Sequence, residues 1–201
     1  VMKTTLAIET SCDDTSLAIV RYEDGSFFVD QLQAYSQIAH HQQYGWVVPE
    51  IAFRLHSEQI LALLKHFENA VPTVDSICVT TNPGLAGSLL VWKTVAHMVG
   101  KHYDKPVVPV HHIYGHIFSL LLERRVADLP FPWIVLTASW GHNEIYLVQS
   151  VKCKVHNNNN CALCTMHYAL SNIEITKLWK TLDDAAGECF DKVARMLGGP
   201  Y

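Results

Sequence analysis

Two histidines four positions apart, His112 and His116 in HHIYGH, are the pair best equipped for chemistry in this sequence. On a helix that spacing puts both imidazoles on one face, where they can share a transition-metal ion. Chance also produces such pairs in a chain with twelve histidines, so spacing alone does not decide. Their place directly after the apolar run PVVPV favours a cleft at a strand end. A zinc peptidase is excluded, because HExxH needs Glu beside the first His and Ile113 and Tyr114 stand there instead. A second grouping, CKVHNNNNCALC, holds Cys153, His156, Cys161 and Cys164 as C-x2-H-x4-C-x2-C. It reads either as a closed tetrahedral zinc site or as an accidental cluster in a polar insert. If it binds zinc, the site is structural, since four protein ligands leave no open position.

Three turns complete the candidates. IETSCDD places Glu9, Asp13 and Asp14 at a strand end, where carboxylates can hold Mg²⁺ or orient a nucleophile, or can be solvated turn residues. TTNPGLAGS (80–88) joins a strand to a helix N-terminus, the architecture of an anion site, without the Lys of a P-loop. A plain tight turn has the same pattern. TASWGH (137–142) ends another strand in a turn that can offer backbone N–H groups to a ligand. Trp140 is an odd choice there, because close approach to a ligand usually calls for a small side chain.

The elements that must position these residues follow from periodicity. Residues 4–11, 15–23 and 27–37 predict a three-strand meander, and 49–70 a long helix. A buried strand over 75–84 leads to a helix over 86–103. A strand over 106–112 leads to a helix over 112–125. A linker, ADLPFP (127–132), precedes a hairpin over 133–151, and a last helix spans 183–199. This order suggests a duplicated α/β unit cut short. With 49% hydrophobic and 17% charged residues the chain is globular. Its net charge of −4 gives no general attraction to nucleic acid, so such a substrate needs a local basic patch or partner proteins. No apolar run is long enough to span a bilayer, and the N-terminus turns acidic too soon for a signal peptide. The expected compartment is the cytoplasm, with the six cysteines reduced apart from any metal cluster and Cys78 a buried thiol.

Taken in order, IETSCDDTSLAIV, YGWVVPEIAFRLH, TTNPGLAGSLLVW, PVHHIYGH, ASWGHNEIYLV and TLDDAAGECFDKVARMLGGPY resemble the TsaD family. These are tRNA N6-adenosine threonylcarbamoyltransferases. The resemblance covers nearly the whole chain except an insertion at about 152–177. It implies an α/β, actin-like (ASKHA) fold of two RNase H-like domains: the first over 1–126, and the incomplete start of the second over 127–201. It implies transfer of threonylcarbamoyl from threonylcarbamoyl-adenylate, made by a separate synthase, to N6 of adenosine 37 in tRNAs reading ANN codons. TsaB-like and TsaE-like proteins are the implied partners. His112 and His116 would hold one Fe²⁺ or Zn²⁺ per subunit. Thr137, Ala138, Ser139, Trp140, Gly141 and Asp191 would bind the adenylate or an adenine nucleotide. Glu9, Asp13 and Asp14 would face the reaction centre. The third metal ligand of the family, an Asp, lies beyond LGGPY, so the 201 residues alone are expected to be inactive. A catalytically dead TsaB-like scaffold is the alternative. An actin-like sugar or acetate kinase shares the fold but leaves the His pair without a purpose.

The resemblance also places a family glycine where this chain has Trp46 (YGGVVPE), Trp92 (SLLVG), Trp140 (SGGH) and Trp179 (LLGETLDD). Four of the five tryptophans fall on such positions. Independent drift would have to choose the largest side chain four times, whereas one codon, UGA, is read as glycine in some bacterial lineages and as tryptophan in a common alternative code. Mass spectrometry of the tryptic peptide 126–152 from the native organism is therefore expected to show glycine at position 140. Tryptophan in that peptide would leave a plugged turn and favour the scaffold.

Overall fold

The computed structural model describes residues 2–150 and 173–199, and the Cys153, His156, Cys161 and Cys164 group lies outside them. The described chain forms two compact units, residues 2–123 and 124–199.

In the first unit, alternation in KTTLAIE makes β1 (Lys3–Glu9) a strand with two faces. Leu6 and Ile8 are buried on one face, and Thr5, Ala7 and Glu9 point to the other. β2 (Asp14–Glu23) and β3 (Ser26–Ser36) continue as an antiparallel meander. β4 (Ser76–Asn82) then pairs parallel to β1, and β5 (Val107–His111) parallel to β4. The sheet order is β3-β2-β1-β4-β5, the ribonuclease H-like arrangement expected of an actin-like domain.

After a single turn, α1 (Ile38–His41), the helix α2 (Pro49–His66) starts with proline at its first position, where no N–H is required. α3 (Ala86–Tyr103) buries Leu89, Trp92, Ala96 and Gly100 at helical spacing. Both helices cover the Leu6–Ile8 face. The core there also takes Leu17, Ile19, Phe67, Ile77 and Val79. Trp92 is wholly buried in this core, and its indole N–H has no hydrogen-bond partner there. Trp46, Trp140 and Trp179 are about half exposed. The backbone is not left-handed at any of the four, so none is strained in φ.

α4 (His112–Phe118) is shorter than the helix predicted over 112–125. A 3-10 turn follows at Ser119–Leu121. The chain then pairs Leu122 with Phe27, and the Glu123 N–H donates to the Phe27 carbonyl. Periodicity in SLLLERR cannot register that distant partner. The helix predicted over 49–70 likewise stops at His66.

The second unit is an antiparallel sheet of β6 (Trp133–Ala138), β7 (Asn143–Ser150) and β8 (Ile173–Lys180), in that order, followed by α5 (Ala186–Met196). β8 begins inside the range assigned to the insertion, so residues from Ile173 belong to the sheet. Among the described residues, no helix is long and apolar enough to cross a membrane.

Candidate functional site

The carboxyl ends of the three parallel strands meet at one place. Ile8 of β1 is in register with Val79 of β4, which sets Glu9 beside Thr80. Thr80 is in register with Val110, which brings the end of β5 and the start of α4 alongside. Ligands in α/β sheets gather at such strand ends.

Glu9 is the centre of the cluster. Its Oε1 accepts the Ser11 backbone N–H at 2.6 Å, and its Oε2 accepts the Thr80 hydroxyl. His112 Nδ1 lies 3.1 Å from the same Oε2 and 3.1 Å from Ser11 Oγ. Burial raises the pKa of Glu9, but the bonds from His112, Ser11 and Thr80 outweigh it and hold the carboxyl at about 2. Glu9 is therefore ionised at any neutral pH.

On the far edge of the ring, His112 Nε2 is 3.0 Å from His116 Nε2. The i, i+4 spacing on α4 does bring the two imidazoles together. Their separation is close to the ~3.3 Å edge of a tetrahedron built from metal–nitrogen bonds of ~2.0–2.1 Å. Among the described residues no third His, Cys, Asp or Glu completes a metal site. The spacing of the pair suits two imidazole donors to one metal ion. A cavity of about 320 Å³ lies beside it, lined by Ala7, Ala18 and Cys78 on the sheet and by Thr80, His112 and His116.

Asp13 lies in the turn with Ser11 and Asp14 opens β2, and neither is among the hydrogen-bond partners of Glu9. Asp13, partly exposed, lies near His41 and His56, two buried histidines of α1 and α2. His56 Nε2 donates to the Cys12 carbonyl at 3.0 Å, and its Nδ1 pairs with the Thr15 hydroxyl at 2.6 Å. Burial lowers the pKa of His56. Burial and Asp13 push the Cys12 thiol up to about 12, so it is no nucleophile.

The turn at TTNPGLAGS is structural in what it shows. The Leu85 N–H, at the mouth of α3, donates to the Ser11 carbonyl at 2.7 Å rather than pointing to solvent. Gly84 makes this approach feasible: it has φ +154°, and an added Cβ would fall 2.5 Å from the Ser11 oxygen.

In the second unit, Thr137 is buried and its hydroxyl donates to the Glu144 carbonyl. Ser139 Oγ lies 3.1 Å from both the backbone N and O of His142, so this hydroxyl closes the turn. Gly187 and Glu188, at the start of α5, donate backbone N–H groups to the Ser139 and Trp140 carbonyls. Trp140 Nε1 reaches Asp191 Oδ2 at 2.5 Å. Trp140 and Asp191 thus meet, while Ala138 and Gly141 are exposed. Gly187 suits this docking, since a Cβ there would meet the Trp140 Cα at 2.5 Å.

Ser11 and Thr80 are members of the cluster that the sequence reading missed. Thr80 is placed by strand register, 71 residues from Glu9, whereas Ser11 contributes a backbone N–H two residues from Glu9 that its residue type does not announce.

Comparison with known proteins decides the family. The profile described as TsaD, tRNA N6-adenosine threonylcarbamoyltransferase, matches residues 31–201. The chain belongs to the TsaD family. Relatives with that name include those of Geotalea uraniireducens (41% identical), Bacillus subtilis (42%) and Kosmotoga olearia (43%), each over 200 residues and 98% of this chain. The chain spans about half of their length, 50%, 50% and 52% respectively. Among solved structures, YeaZ from Pseudomonas aeruginosa matches 76% of this chain and 63% of its own, at 16% identity and a TM-score of 0.41.

Gly84→Ala is expected to destabilise the protein by about 1–3 kcal/mol. Urea denaturation measures it. Unchanged stability would show that the Ser11–Leu85 approach is not tight.

Proposed function

We propose that this chain forms the N-terminal part of an enzyme that transfers threonylcarbamoyl from threonylcarbamoyl-adenylate to N6 of adenosine 37 in tRNA. The observation that carries the reading is the Glu9–His112–His116 cluster at the strand ends of a chain over 40% identical to transferases of that name.

His112 and His116 would hold an Fe²⁺ or Zn²⁺ ion through their Nε2 atoms, since borderline imidazole donors suit both. When bound, such an ion supplies Lewis-acid polarisation of the carbamoyl carbonyl. Asp14, exposed at the start of β2 and in step with Ser16 and Ala18 of the cavity wall, would take the proton released as the adenine amine attacks. The turn at 137–141 and Asp191 would hold the adenylate. The remaining ligands and the rest of that site would come from the length the relatives carry in addition. TsaB-like and TsaE-like proteins would be partners, in the cytoplasm, and would supply the tRNA contacts that a net charge of −4 does not. A structural Zn²⁺ at Cys153, His156, Cys161 and Cys164 belongs to the same proposal.

One contact favours the alternative, a TsaB-like scaffold without activity: the Trp140 indole takes an oxygen of Asp191, the carboxylate assigned to the nucleotide. Glycine at position 140 would leave that oxygen for ribose or phosphate-bound water.

The 201 residues alone are expected to leave tRNA unmodified. A chimera joining them, with glycine at 46, 92, 140 and 179, to the C-terminal half of the Bacillus subtilis relative is expected to modify it with TsaB-like and TsaE-like proteins present. Loss of the His pair by His112→Ala should then cost about a hundredfold or more, several kcal/mol of transition-state stabilisation. Modification by the isolated chain, or a folded but inactive chimera, would contradict the proposal.

A further inference from the structure

We propose that Glu9 sets the tautomer of His112, keeping its proton on Nδ1 so that the Nε2 lone pair faces His116. The inference rests on reading the two histidines as a metal pair, and it gives Glu9 a task distinct from proton transfer to or from substrate.

Hydrogen-bond direction carries the argument. The Ser11 backbone N–H can only donate, and it points at Glu9 Oε1 over 2.6 Å. The Thr80 hydroxyl donates to Oε2. Two donors converging on one carboxylate mark it as an acceptor, so the proton in the 3.1 Å contact between Oε2 and His112 Nδ1 belongs to the ring. Ser11 Oγ, also 3.1 Å from Nδ1, then serves the same N–H as a second acceptor. A neutral ring protonated on Nδ1 has a bare Nε2, the atom 3.0 Å from His116 Nε2. Metal binding requires that lone pair, and the other tautomer would place a proton in it.

The turn that supplies Ser11 is held on other sides as well. The Ser11 carbonyl accepts from Leu85, and the next carbonyl, Cys12, accepts from His56. Ser11 N–H therefore has little freedom to leave Oε1. Glu9 is a positioning residue, acting on the ion through His112.

A single isosteric change reverses the logic. In Glu9→Gln, the Ser11 N–H requires the amide oxygen, which turns the NH₂ toward Thr80 and His112. An NH₂ facing Nδ1 needs an acceptor there, so the ring proton moves to Nε2.

The test is nitrogen-15 NMR of the histidine rings in metal-free protein, in alkaline buffer so that each ring holds one proton. The expected result is His112 protonated on Nδ1 in the wild type and on Nε2 in Glu9→Gln, with Zn²⁺ affinity about 10–100-fold weaker in the variant. Ser11→Ala, which keeps the backbone donor, should retain the wild-type tautomer. A wild-type His112 protonated on Nε2, or a folded Glu9→Gln protein with an unchanged tautomer, would overturn the inference. Should Glu9→Gln fail to fold, the wild-type spectrum decides alone. Zn²⁺ that leaves both His112 and His116 resonances unmoved would remove the metal reading while the tautomer stood, so the two failures are separate.

Discussion

The Glu9 carboxylate is where three segments of the first unit are tied together. It takes the backbone N–H of the turn after β1, the hydroxyl of Thr80 on β4, and the ring of His112 at the start of α4. An ionised carboxylate half out of water is costly unless its lone pairs are used, and here donors from three elements use them. Removing any one donor leaves the charge less compensated. Positioning of the imidazole pair thus depends on a sheet register, a turn and a helix start that must all form at once.

The same constraint explains the sequence around it. Gly84 permits the turn before α3 to lie against Ser11, whose carbonyl then accepts the Leu85 N–H. His56 reaches from α2 to the Cys12 carbonyl, fixing the other side of the turn. Small side chains, Ala7, Ala18 and Cys78, line the sheet where the cavity opens, whereas Leu6, Ile8, Leu17 and Ile77 fill the opposite face. Core and site use the two faces of one sheet, and the two-residue period of the strands keeps them apart.

Much of this was legible beforehand. The apolar spacing of 86–103 predicts α3 to the residue, and His112 and His116 are neighbours because four residues make about one helical turn. The acidic turn was legible as a unit but not in direction: Glu9 ends on the site face of the sheet, while Asp13 lies beside His41 and His56. Parity along β1 fixes Glu9, and nothing equally regular fixes a turn residue. Ser11, two residues from Glu9, was not legible because it acts through a backbone N–H that no side-chain motif records, and Thr80 because its pairing with Glu9 spans 71 residues. The overlong helix after His112 has the same origin, since Leu122 leaves it for Phe27. Trp140 was legible as an anomaly, and only the structure gives it a contact, Asp191.

The central claim is that the Glu9-supported histidine pair is a metal-binding half-site. X-ray absorption spectroscopy on the Zn²⁺-loaded protein tests it most directly. The account predicts scattering from two imidazoles in the first coordination shell, falling to one in His116→Ala. A shell without imidazole, or one unchanged by that substitution, would contradict it.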